Sequence, residues 1–90
     1  MSIANINAEI RRALDDFDRR IEDMHNEFQK YRHAEIHRAP EWEKLDRDLM
    51  NFSRRKIFDL ALSKQLDRVL FKFQNRKRIW LKWMDEKHGV

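Results

Sequence analysis

Across 90 residues the chain carries a single proline, Pro40, and a single glycine, Gly89. These two residue types punctuate chains: proline removes a backbone donor and glycine supplies left-handed turns. A sequence with one of each has little to build tight hairpins from, and it favours long helices. The scarcity also excludes chemistry. A dinucleotide-binding fingerprint and a phosphate-cradling loop both need several glycines. There is no cysteine, so disulfides, a thiolate nucleophile and cysteine zinc sites are excluded, and a reducing compartment is expected.

Residues 1–5 show no basic stretch leading into an apolar run, so the expected location is cytoplasmic. No apolar run approaches the roughly 20 residues a membrane span needs, and a membrane partner is not expected.

The first half follows one helical pattern. From Ile10 the apolar residues Leu14, Phe17, Ile21, Met24, Phe28 and Tyr31 are spaced by four and three in alternation. This is a heptad seam, with Leu14, Ile21 and Phe28 at a and Ile10, Phe17, Met24 and Tyr31 at d. Ser2, Asn5 and Asn7 are candidate N-caps. The spacing predicts helix 1 over about 5–38, with a turn at about 39–40.

Pro40 disfavours helical geometry at Ala39 and is preorganised to open a helix itself. Glu41 and Glu43 suit the positive end of the next helix dipole. A second helix is predicted over about 40–87, with His88 and Gly89 closing it. Its apolar stripe starts as Trp42, Leu45, Leu49 and Phe52, lapses at Arg54-Arg55-Lys56, and resumes in shifted phase as Phe58, Leu62, Leu66, Val69, Phe73, Trp80 and Met84. Asn51-Phe52-Ser53 marks a kink or a break into three helices. With no glycine or proline there, the expectation is one continuous helix.

The predicted fold is therefore all-α, a long antiparallel helical hairpin with coiled-coil-like packing, forming one domain over residues 1–90. Ile10, Leu14, Phe17, Ile21, Met24 and Phe28 hold it together. Helix 2 has a second apolar face, and one neighbouring helix cannot cover two faces. Self-association into a four-helix bundle, or docking in a larger complex, is the expected consequence.

Charge is uneven. Residues 1–45 hold eight Lys/Arg and ten Asp/Glu, whereas residues 46–90 hold twelve and six. Between Arg54 and Lys82 ten basic residues face only Asp59 and Asp67. Such asymmetry points to an anionic partner or to packing of the basic half on the acidic half.

Sites for chemistry are few. His33 and His37 are four apart, and Glu22 and His25 form a Glu-x-x-His unit. Both spacings occur at metal sites, but here they fall on the polar side or the flank of an apolar seam. No metal or other cofactor is expected. Acidic residues of the first helix alternate with arginines at self-pairing distance, and no catalytic residue is assigned.

The distinctive segment is 68–83, where basic residues interleave with Phe71, Phe73, Trp80 and Trp83. Phe73-Gln74-Asn75-Arg76-Lys77 resembles part of a homeodomain recognition helix. The family's tryptophan before that phenylalanine is Lys72 here, and Pro40 falls within its first upstream helix, so the likeness implies no homeodomain fold.

The expected function is that of a non-enzymatic interaction, scaffold or adaptor subunit working through helix–helix contacts with a protein partner or a second copy. Phe71, Ile79, Trp80 and Trp83 are its candidate interface residues. The competing expectation is sequence-independent nucleic-acid binding. Arg54, Arg55, Lys56, Lys72, Arg76, Lys77 and Arg78 would then be the phosphate contacts.

Overall fold

Of the three candidate caps at the start of the chain, Ser2 is the one used. Its Oγ accepts from the Asn5 N–H at 3.2 Å and opens α1, which spans Ile3–Arg32. The computed structural model describes residues 2–88 and contains two further helices, α2 (Glu43–Ser53) and α3 (Leu60–His88). Gly89, expected to follow the last helix, lies outside the described residues.

α1 stops at Arg32, six residues before the expected end. The backbone turns left-handed at Ala34, with φ 61°. The Ala34 N–H donates to the Tyr31 carbonyl at 3.1 Å and the Glu35 N–H to the Lys30 carbonyl at 2.8 Å. This pair of bonds is a Schellman closure, which satisfies helix-end carbonyls. The heptad seam ends at Tyr31, so nothing apolar rewards further turns.

The predicted second helix is two helices. α2 starts at Glu43, past Pro40, with no side-chain cap. It ends where Ser53 Oγ donates to the Met50 carbonyl at 2.6 Å, and the Arg54 and Arg55 N–H groups close short turns on Asn51 and Phe52. Residues 54–59 are non-helical. Asp59 then starts α3, its Oδ1 accepting from the Leu62 N–H at 3.0 Å. The expectation of a continuous helix over 40–87 is corrected here. Its two stripe segments differ in phase, and a straight helix could not have turned both toward α1. A break lets each segment present its stripe separately.

The break changes the topology. α2 runs antiparallel to α1: Arg20 bonds Asp48 at 2.9 Å, and the rings of Phe17 and Phe52 lie 5.4 Å apart. α3 then runs parallel to α1. Gln65 bonds Asp15, Lys72 bonds Asp18, Arg76 bonds Glu22, Trp80 bonds His25, and Tyr31 meets His88, so residue numbers rise together along both helices. The antiparallel hairpin is thus α1 with α2, and the strap 54–59 carries the chain back to the start of α1. The result is an up-down-up trio measuring 53 × 18 × 17 Å.

The core is one column. Ile10, Leu14, Phe17, Ile21, Phe28 and Tyr31 of α1 meet Leu45 and Leu49 of α2 and Leu62, Leu66, Val69, Phe73 and Trp80 of α3, all buried. Phe28 and Trp80 stack at 5.0 Å between ring centroids, with nearly parallel planes. Met24, the remaining seam residue, is half-buried against this column.

Candidate contact face

At 100° per residue α3 divides into an inner and an outer side. Lys72, Arg76 and Lys77 fall at the margins of the inner side and meet acids of the other two helices. Lys72 Nζ lies 2.9 Å from Asp18 and 2.7 Å from Glu22. Arg76 reaches Glu22 at 3.0 Å. Lys77 reaches Asp46 at 3.3 Å and sits over the Trp42 ring. The hydrogen bond from Lys72 holds the Glu22 carboxyl below its ordinary value; partial burial opposes this and the Arg76 charge adds to it. Burial works against the Lys72 charge, but its bonds to Glu22 and Asp18 outweigh that and raise its pKa. Three of the seven candidate phosphate contacts therefore hold the bundle together.

The candidate interface residues separate in the same way. Trp80 is completely buried inside the chain and cannot serve as a surface contact. It is the face partner of Phe28, and its indole N–H donates to His25 Nδ1 at 3.1 Å. Trp83 is half-buried between His25 and the Arg32 guanidinium, which lies 4.9 Å from its ring. Ile79 stands at the edge, 37% exposed, whereas Phe71 is 71% exposed. Of the four, Phe71 alone stands free on the surface.

Phe71 belongs to a line. Lys64, Arg68, Phe71, Asn75, Arg78 and Lys82 follow a 4-3-4-3-4 spacing and lie within about 80° of one another on the outer side of α3. The four cations are exposed and make no ion pair among the described residues. Asp67 lies at the margin of the line, and Asp85 and Glu86 end it. Arg54, Arg55 and Lys56, also exposed, occupy the strap leading into α3, with Arg55 over the Phe52 ring. Of the candidate phosphate contacts, Arg54, Arg55, Lys56 and Arg78 remain free, and Lys64, Arg68 and Lys82 join them. Those three were detectable in the sequence as a second heptad stripe, polar instead of apolar.

This outer side is not the seam a four-helix bundle needs. Apart from Phe71 the exposed large apolar residues of α3 are Leu60, Ile79 and Leu81, set among charged residues. The homeodomain-like pentapeptide is not a surface either: Phe73 is core, and Arg76 and Lys77 are paired.

A second feature lies at the pole where α3 begins. Ile3, Ile6, Ile10, Lys56, Phe58 and Asp59 surround an open groove of about 550 Å³. Phe58, expected in the apolar stripe, is 92% exposed there. His33 caps α1 and His37 lies in the following loop, so the helical i, i+4 relation between them is lost. No three His, Cys, Asp or Glu side chains are gathered for a metal ion among the described residues. None of the described helices is long and apolar enough to cross a membrane.

Comparisons of the chain with protein-family models, with curated proteins and with solved structures yield no match. What the chain does must be read from its own surface.

Proposed function

We propose that this chain is a non-enzymatic interaction module whose contact face is the outer side of α3, and that its partner is an anionic macromolecule. One observation carries this reading. Lys72, Arg76 and Lys77 are matched with acids of α1 and α2, while Lys64, Arg68, Arg78 and Lys82 are left unmatched in a line. Like charges four residues apart, as in 64/68 and 78/82, cost a helix a few tenths of a kcal/mol each. A partner's negative charge turns that cost into affinity and speeds encounter.

Retention on a heparin column tests the face. Replacing Arg68, Arg78 and Lys82 with alanine should bring elution to markedly lower salt. Replacing Arg11, Arg12 and Arg47, exposed cations of α1 and α2, removes the same charge and should move elution little. Equal shifts for the two variants would mean that net charge alone drives retention, and the assignment of this face would be withdrawn.

A further inference from the structure

We infer that the outer face of α3 binds single-stranded nucleic acid, with Phe71 stacked on one base and the cation pairs Lys64/Arg68 and Arg78/Lys82 on the phosphates to either side. This rests on the contact face proposed above and names its partner.

Three observations select this occupant. The first is the line itself. From Lys64 to Lys82 it runs about 27 Å at the helical rise of 1.5 Å per residue, a length suited to following a strand's backbone past several nucleotides. The second is Phe71, 71% exposed and lying between the two cation pairs, closer to Lys64/Arg68. A lone exposed aromatic within a basic track is the arrangement by which proteins stack a base without reading its identity. In a duplex the base faces are already stacked on each other, and such a ring would find none to cover. The third is the shortage of apolar surface. A stable protein–protein interface buries about 800 Å² per partner around an apolar core, and one phenylalanine with the scattered Leu60, Ile79 and Leu81 forms no such contiguous core. Phosphate binding draws its free energy from released counterions and needs no such patch.

The test is fluorescence anisotropy with a labelled oligothymidylate of about 20 nucleotides, set beside a duplex of the same length. The single strand should bind more tightly than the duplex. Its log K against log [salt] should fall with a slope near −3, about 0.7 for each of four phosphates. Phe71→Ala should weaken binding about tenfold or more with the slope unchanged, and Phe71→Trp should retain it. Arg68→Ala with Arg78→Ala should reduce the slope to about half. Phe71 is a surface residue, so its variants remain folded, and melting curves verify that.

Tighter binding of the duplex, or an unchanged affinity in Phe71→Ala, overturns the inference. So does competition by polyglutamate as effective, charge for charge, as competition by the oligonucleotide, which would direct the search to an acidic protein. If any of these occurs while heparin retention still depends on Arg68, Arg78 and Lys82, the inference fails and the proposed contact face survives. If neither assay responds to those three residues, both fall.

Discussion

The indole N–H of Trp80 donates to Nδ1 of His25 across the α1–α3 interface at 3.1 Å. Trp80 is fully buried, so its one donor must be satisfied inside the bundle, and an unmet buried donor costs about 1–3 kcal/mol. His25 can accept only while that nitrogen is unprotonated. A residue at the flank of the α1 seam thus accommodates the polar edge of the largest core side chain.

Stability should therefore fall on mild acidification. Burial lowers the pKa of His25 below its ordinary value of 6.5, and the Arg76 charge adds to this while Glu22 opposes it. The unfolded chain takes up the proton first, so the contribution is complete above about pH 7 and declines as pH drops through 6.5. Urea melts of the wild type at about pH 8 and about pH 5.5 should show the loss, and His25→Gln should remove most of it. An unchanged pH dependence in that variant would assign the loss to other groups.

The parallel course of α1 and α3 can be checked in solution, because the chain has no native cysteine. Glu22→Cys with Arg76→Cys, replacing a pair 3.0 Å apart, should cross-link efficiently within one chain with a short bismaleimide. A continuous antiparallel hairpin turning at about 39–40 would put position 22 near position 57, well over 20 Å from position 76 at helical rise. Failure of the 22/76 pair to react would refute the parallel arrangement.

Two aromatic residues nine positions apart should respond oppositely to truncation. Trp80→Ala empties a site against Phe28 and Phe73 and should cost about 3–5 kcal/mol. That is a large share of the stability of any small domain. Phe71→Ala should stay within about 0.5 kcal/mol, as surface changes do. Chemical denaturation of both variants reads the difference, and comparable losses would mean that Phe71 is buried in solution.

Ala34 has a left-handed backbone at the end of α1. A side chain there costs about 1–2 kcal/mol, of which glycine recovers part because its unfolded chain is freer. Ala34→Gly should stabilise the protein by about 0.5–1 kcal/mol and raise Tm by several degrees. A lower Tm would show that the closure is not left-handed in solution.

Asp59→Ala removes the oxygen that caps α3 and should destabilise the protein by about 1 kcal/mol. Restoration by Asp59→Ser, and not by Asp59→Leu, would identify capping as the cause.

What the sequence determined by itself is local. The heptad seam from Ile10 to Tyr31 specified a long α1 and its buried residues, because side-chain period along one helix is set by the helix alone. The reversal near Pro40 was legible for the same reason, whereas the choice of Ser2 among three candidate caps was made by the structure. Tertiary structure decided the rest. The phase slip between Phe52 and Leu62 was visible, but no residue there forbids helix, so only the energetics of packing could break it. α1 is 30 residues long, and an 11-residue α2 covers about a third of that length. A chain that breaks and returns along residues 54–59 gives α1 a second partner over its full length, with both stripes turned inward. The same return decided which cations are spent. Lys72, Arg76 and Lys77 resemble Lys64, Arg68 and Lys82 in sequence, and only the arrival of Asp18, Glu22 and Asp46 beside the first three distinguishes bundle from surface. Propensity and period act within a helix, whereas the direction of a helix and the neutralisation of its charges depend on residues far away in the chain.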